Sequence, residues 1–223
     1  MASDYLSKPL SKLRKTDREL LERALDAIES KNQEGFLTLI PNLVDRGLVN
    51  HRKAVPMALT LLNRALDLHW STVAEKLLAA GAAWDISDFR RTTPLMKAAT
   101  FSLPLTKLLL SLGARVGDRD SMGLTPLHWS AGSKESVADI IKVLVHAGAD
   151  INAKDNAGRT PLHEAVGSID PSKVRLLLEL GADRSISAHG ILGVPLEYLN
   201  ETIQDYLDTK PSDRLECIRL LSE

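Results

Sequence analysis

The 223-residue sequence predicts an all-α fold, a solenoid of stacked helix pairs joined by short turns. Two markers recur along it with nearly the same period. Gly-Ala pairs begin at residues 81, 113, 148 and 181, at intervals of 32, 35 and 33 residues. Prolines followed by an apolar residue occur at positions 56, 94, 126, 161 and 195, at intervals of 38, 32, 35 and 34. A shared period near 33 indicates units that stack and bury one continuous core.

Each unit is predicted to contain a turn, a short helix, a reversal and a longer helix. Thr125 and Thr160 stand at N-cap positions, and the proline that follows each of them suits the first helical position. The second helix is richer in Leu, Ile and Val, and it ends at Gly148 or Gly181, where a left-handed residue is favoured. The Asp, Asn and Gly residues before the next threonine favour a tight turn.

These motifs resemble the ankyrin repeat. The stretches GLTPLHWSA and GRTPLHEAV carry its Thr-Pro-Leu-His signature, and a Gly-Ala-Asp-x-Asn stretch follows the first of them. The resemblance is strongest over residues 120–154 and 155–187. Residues 88–119 also match, with Met96 in place of the histidine and Arg91 in place of the turn glycine. Residues 53–87 keep Pro56 and the Gly-Ala pair but have no threonine before that proline, so they are interpreted as a degenerate repeat.

The resemblance implies one domain over residues 16–223, preceded by a flexible arm at residues 1–15. The predicted order is an N-terminal helical cap (16–52), the degenerate repeat (53–87), three repeats (88–119, 120–154, 155–187) and C-terminal capping helices (188–223). The interval of 35 between two markers predicts a two-residue insertion near residues 132–136. Terminal units of such arrays are expected to be atypical, because one face of each meets water.

Composition argues against several classes of protein. Lys plus Arg is 28 and Asp plus Glu is 29, so no overall basic charge favours nucleic acid. The only cysteine, Cys217, is expected to be a buried, inert thiol. No leader-like segment and no apolar run of membrane-spanning length are found. We therefore expect a monomeric protein of the cytoplasm or nucleus that acts away from membranes.

The histidines raise the question of chemistry. His128 and His163 recur with the repeat but have dissimilar neighbours, which favours a structural role over catalysis. The resemblance implies that each one hydrogen-bonds to Thr125 or Thr160 near the turn, and Thr93 has the equivalent N-cap position. The six histidines form no i, i+4 pair, and no phosphate-binding glycine motif is present. The sequence therefore predicts no catalytic residue, no metal site and no cofactor.

Recognition of another protein is the predicted function. The resemblance implies that turn tips and short helices line a concave face, and that this module acts as an adaptor, regulator or inhibitor. The candidate contact residues are Phe89, Arg90, Thr92, Ser121, Met122, Leu124, Trp129, Ser133, Asn156, Arg159, Glu164 and Ser168. The apolar members with Arg90 would form a strip of residue types that dominate binding hot spots. Alternatively, Trp129 packs on the next short helix and Leu124 on a turn.

Two other hypotheses stay open on the sequence alone. His69, Trp70, Trp84 and Asp85 cluster in the degenerate unit, so the terminal units could form the pocket of an enzyme or small-molecule binder. The residues around Asn152 resemble the context in which some ankyrin repeats are hydroxylated on asparagine. The simpler interpretation is that this side chain closes its loop by hydrogen bonds.

Overall fold

The computed structural model describes residues 13–50, 60–188, 195 and 211–222. Over these residues the chain forms eleven α-helices and no β-strand, which confirms the predicted all-α fold. The helices belong to two compact units, one ending at Ala98 and the other beginning at Ala99.

The first unit contains two helix pairs and a fifth, short helix. Its helices are α1 (Lys15–Glu29), α2 (Gln33–Asp45), α3 (Leu61–Asp67), α4 (Ser71–Ala79) and α5 (Pro94–Ala98). Helix α2 packs on α4, and the short helix α3 packs on the short helix α5. Phe36 and Trp70 lie in the core between the first two pairs, with ring centroids 6.2 Å apart. Helix α1 starts at the last residue of the predicted arm, whose first twelve residues lie outside the described part.

The degenerate repeat opens its short helix at Leu61, five residues after the proline used to place it. Thr60 is the N-cap, and its hydroxyl accepts the backbone N–H of Asn63 at 3.1 Å. Thr60 precedes Thr93 by 33 residues, so Thr60-Leu-Leu-Asn63 takes the place of Thr-Pro-Leu-His. The prediction that this repeat lacks its threonine is wrong, because Leu61 replaces the proline that marks the helix start elsewhere. Pro56 itself lies outside the described residues.

The second unit stacks short helices on short helices and long helices on long ones. Its helices are α6 (Leu103–Ser111), α7 (Pro126–Ala131), α8 (Ala138–His146), α9 (Pro161–Gly167), α10 (Pro171–Glu179) and α11 (Pro211–Ser222). Helix α7 packs on α9, α6 on α8, and α10 on α11. Ala131 and Ala165 are fully buried on the short helices, where small side chains allow close approach. Residues 189–210, apart from Pro195, lie outside the described part of the predicted C-terminal cap.

The predicted insertion forms a loop between α7 and α8 that is fixed at both ends of Ser133. Its hydroxyl donates to the carbonyl oxygen of Thr100 at 3.0 Å, and its own carbonyl oxygen accepts a hydrogen bond from the Lys173 ammonium. That ammonium also pairs with Asp170 at 3.4 Å and is almost fully buried, which lowers the pKa of Lys173. A cation from α10 therefore holds the loop of the preceding repeat.

Candidate functional site

Three successive turns are closed by an aspartate that the sequence analysis did not single out. Asp88, Asp120 and Asp155 each stand six residues before the proline of a short helix. One carboxylate oxygen of each accepts the backbone N–H groups two and four residues later, at 2.7–2.9 Å. The recurrence of aspartate at intervals of 32 and 35 residues, in step with the prolines, is the signal that could have identified them.

The other carboxylate oxygen of each aspartate binds a different side chain. Asp88 pairs with the Lys97 ammonium at 3.1 Å, Asp120 accepts the Trp129 indole N–H at 3.0 Å, and Asp155 accepts Arg159 Nε–H at 2.9 Å. Trp129 is thereby attached to its own turn and is half-buried. Its indole N–H is already used within the protein, and the exposed part of its ring is what a partner can contact.

His128 connects two repeats. Its Nδ1 accepts the Thr125 backbone N–H at 3.2 Å and lies 2.8 Å from the Thr125 hydroxyl. Its Nε2 lies 3.0 Å from the carbonyl oxygen of Arg159, which can only accept, so the ring proton is on Nε2. Burial lowers the pKa of His128, against the opposing effect of the Arg159 carbonyl. The ring is therefore a neutral structural bridge.

His163 repeats this arrangement, with Nδ1 at 2.9 Å from the Thr160 hydroxyl and accepting the Thr160 backbone N–H at 3.1 Å. In the first unit Met96 replaces the histidine, and Thr93 donates its backbone N–H to the thioether sulfur at 3.3 Å. All three threonines thus hold the start of a short helix. The histidine contacts seen here fix a fold and contain no group suited to bond-making.

Two candidate contact residues of the first unit are on the surface and one is not. The Phe89 side chain is 56% exposed, and the guanidinium carbon of Arg90 lies 5.4 Å from its ring centroid. Thr92 is only 2% exposed, so the prediction that it contacts a partner is wrong. It is buried because it closes the turn, with its carbonyl oxygen accepting the Asp88 backbone N–H at 3.0 Å.

The second unit divides its candidates in the same way. Met122 is 55% exposed at a turn tip, Ser121 is exposed beside it, and Leu124 is half-buried. Ser133 is 8% exposed, so its prediction as a contact residue is also wrong, since its hydroxyl is used by the anchored loop. Ser168 is half-buried and donates its hydroxyl to the carbonyl oxygen of Ala165 at 2.8 Å.

The remaining candidates of the second unit join neighbouring turns. Asn156 donates its backbone N–H to Met122 at 2.9 Å and its side-chain amide to the Ser121 carbonyl at 3.1 Å. Arg159 pairs with Asp155 at 2.8 Å and with Glu164 at 3.1 Å. Burial raises the pKa of Glu164, an effect that Arg159 opposes and the nearby aspartates reinforce. These side chains are partly exposed, but they also hold the surface together.

Asn152 has a structural role in the loop before the next repeat. Its amide oxygen accepts the Asp183 backbone N–H at 2.9 Å. Asn50 behaves alike in the first unit, where it accepts from the Ala83 N–H at 2.6 Å and donates to the Gly81 carbonyl at 3.0 Å. Loop closure by Asn152 is therefore present, and its hydroxylation stays a prediction.

The residues proposed for a pocket in the degenerate unit do not converge on one. Trp70 lies in the core against Phe36, and His69 forms the reversal between α3 and α4 with φ of 56°. Asp85 is exposed and Trp84 is half-buried. Within the described residues no group of three His, Cys, Asp or Glu side chains is arranged to hold a metal ion. Burial raises the pKa of the Cys217 thiol to about 12, which keeps it protonated and unreactive.

An open cavity of about 410 Å³ lies between α10 and α11 in the second unit. Two of its lining residues are already engaged, Arg175 with Glu216 at 2.5 Å and Arg184 with the Leu220 carbonyl oxygen at 3.3 Å. Separately, no helix in the described part of the chain is both long and apolar enough to span a bilayer.

A comparison with protein-family models agrees with this geometry. The model described as ankyrin repeats (3 copies) matches residues 62–155 and 122–188, which together cover more than half of the chain. The chain belongs to the ankyrin-repeat family. The match begins inside α3, so it includes the degenerate repeat whose N-cap is Thr60. Ankyrin repeats generally mediate interactions between proteins, and the family is typically non-enzymatic.

Proposed function

We propose that this ankyrin-repeat protein is a non-catalytic interaction module that binds a partner protein through its turns and short helices. It serves as an adaptor, regulator or inhibitor in the cytoplasm or nucleus and is a monomer when alone. The supporting observation is that the same aspartate-closed turn presents different side chains in successive repeats. A fixed backbone with variable tips suits recognition, since little order has to be gained on binding.

The exposed tips supply the anchors for such a partner. Phe89 and Arg90 occupy the tip in the first unit, and Met122 occupies it in the second. Large apolar side chains on an exposed, hydrogen-bonded turn are costly to hydrate, and their burial by a partner is favourable. Aromatic residues, Met and Arg are also enriched at protein interfaces.

The test is capture of a partner from native extract by the full chain, followed by affinity measurement with the identified protein. Met122→Glu is expected to weaken binding about tenfold or more, because it places a charge in the apolar contact. Leu112→Glu is the matched control, since Leu112 is an exposed apolar residue directly after the long helix α6.

Trp129→Phe separates the ring from its hydrogen bond to Asp120 and avoids the disturbance that Trp129→Ala would cause in the turn. If Met122→Glu and Leu112→Glu bind equally well, the partner does not use the turn and short-helix side. Turnover of a defined substrate by the purified chain would contradict the non-catalytic role.

A further inference from the structure

We propose that the tip of residues 88–92 in the first unit, here named the basic tip, recognises an acidic, apolar-flanked segment of the partner protein. This inference rests on the proposed function and specifies the chemistry of the partner. It starts from three adjacent residues, Phe89, Arg90 and Arg91, that are all exposed. The equivalent residues of the two later turns are Ser121, Met122 and Gly123, and Asn156, Ala157 and Gly158, none of which is charged.

The basic tip is held rigid from below. The Asp88 carboxylate accepts the backbone N–H groups of Arg90 and Thr92, both at 2.9 Å, and pairs with Lys97 at 3.1 Å. The Arg91 backbone N–H donates to the Asp88 carbonyl oxygen at 2.9 Å. The negative charge of Asp88 is therefore satisfied by its own turn and by Lys97.

The two guanidinium groups are left for a partner. Neither Arg90 nor Arg91 forms an ion pair with a carboxylate among the residues that the structure describes. Arg90 instead lies over the exposed Phe89 ring at 5.4 Å, an arrangement that fixes the cation beside an apolar surface. Arginine binds carboxylates in a bidentate manner, so two adjacent guanidiniums beside a phenyl ring match acidic residues that flank an apolar one.

Backbone strain at Arg91 supports a role for its side chain. Arg91 has φ of 61°, at the place where the later turns have Gly123 at 82° and Gly158 at 79°. A residue with a Cβ is disfavoured in this left-handed region, and glycine is not. The turn thus keeps an arginine where glycine would fit better, and strain of this kind concentrates at functional sites.

Charge favours an acidic protein segment over nucleic acid. The whole chain carries a formal net charge of −1, so two arginines at one tip are not part of an extended basic surface. Binding to a phosphate backbone requires many such contacts along its length. A short segment with a few carboxylates and one large apolar side chain is complementary to the basic tip.

The experiment uses the full chain and short fluorescein-labelled peptides in anisotropy titrations. One pool alternates Glu and Asp with Leu and Phe, a second replaces each acid by its amide, and a third replaces each acid by Lys. An oligothymidine serves as the nucleic-acid probe. We expect the acidic pool to bind at least about tenfold more tightly than the other two pools, and its affinity to fall as salt rises.

The variants then locate the binding. Arg90→Gln combined with Arg91→Gln is expected to lose the acidic pool by about tenfold or more, and Phe89→Ala to weaken it too. Arg23→Gln, which removes an exposed charge from α1 of the same unit, is the control and is expected to bind as the unchanged chain does. Circular dichroism and thermal melting of each variant confirm that it is folded.

Three results would overturn the inference: equal binding of the acidic and amide pools, acidic binding that survives the double arginine substitution, or oligothymidine binding that the same substitution abolishes. If a partner captured from extract depends on Met122 but ignores the arginines, only this inference fails. If neither a partner nor any pool binds, the proposed function fails with it.

Discussion

Arg91, Gly123 and Gly158 are single residues with the same place in three turns, each three residues after the closing aspartate. All three have positive φ, but only two are glycine. A Cβ added to Gly123 would lie 2.5 Å from the amide oxygen of Asn156 and 2.8 Å from its backbone nitrogen. The neighbouring turn approaches too closely there for any side chain, so glycine is required for two reasons.

Opposite substitutions at these positions should therefore have opposite effects. Gly123→Ala is expected to lower the free energy of unfolding by about 1–3 kcal/mol through strain and crowding. Arg91→Gly is expected to raise it by several tenths of a kcal/mol, because relief of the left-handed strain exceeds the added flexibility of the unfolded chain. Urea titrations of both variants measure this, and a loss of stability in Arg91→Gly would contradict it.

His128 makes stability depend on pH. Burial lowers its pKa in the folded chain below the ordinary value of 6.5, so between these two values the unfolded chain binds more protons. The contribution of neutral His128 is fully present above pH 6.5 and declines as the pH falls toward the folded-state pKa. We expect the free energy of unfolding from urea titration to be lower at about pH 5.5 than at about pH 7.5.

His128→Asn is the control for that pH effect, because Asn63 holds the same place in the degenerate repeat and donates its amide to the Ile86 carbonyl at 3.0 Å. The difference between the unchanged chain and this variant cancels the titration of Glu164, whose raised pKa acts with the opposite sign. Equal losses in the two proteins would show that His128 does not carry the effect.

At the scale of elements, the sequence predicts helices better than it predicts surfaces. Thr125 and Thr160 with their prolines mark α7 and α9 because capping is local chemistry. The start of α3 was missed because Leu61 carries no such mark. Thr92 and Ser133 were taken as contact residues, but their burial depends on the turn and loop hydrogen bonds made in three dimensions. Exposure follows from packing, which a single sequence does not display.

The turn and the short helix that follows it are coupled through Asp120. Asp120→Ala is expected to cost about 2–4 kcal/mol, because it leaves the backbone N–H groups of Met122 and Leu124 and the indole N–H of Trp129 without their acceptor. Trp129→Phe is expected to cost about 1 kcal/mol. Urea titrations of both single variants and the double variant complete a thermodynamic cycle.

In that cycle the double variant should be more stable than the sum of the two single effects indicates, since the indole hydrogen bond is lost only once. Strict additivity would show that Trp129 is held by packing alone. It would then be free to turn toward a partner, and the short-helix surface would be less fixed than its hydrogen bonds indicate.

At the scale of the whole molecule, the repeat period predicted the fold because every unit buries its faces on the next one. The site could not be predicted to the same depth, because the aspartates that shape it are common surface residues and only their recurrence in step with the prolines distinguishes them. Stacking also implies that a defect in a central repeat is felt by its neighbours, which an isolated helix pair would not show.

Hydrogen exchange of the second unit tests this dependence. Helix α9 packs on both α7 and α10, and Leu162 at its start is fully buried. Leu162→Ala should lower stability by about 2–5 kcal/mol and reduce amide protection in α7, α9 and α10 together. Leu215→Ala, at an exposed position of α11, should leave protection nearly unchanged. Loss of protection confined to α9 would mean that the repeats open singly, and that the turns presenting Met122 and Asn156 are not supported by the stack beneath them.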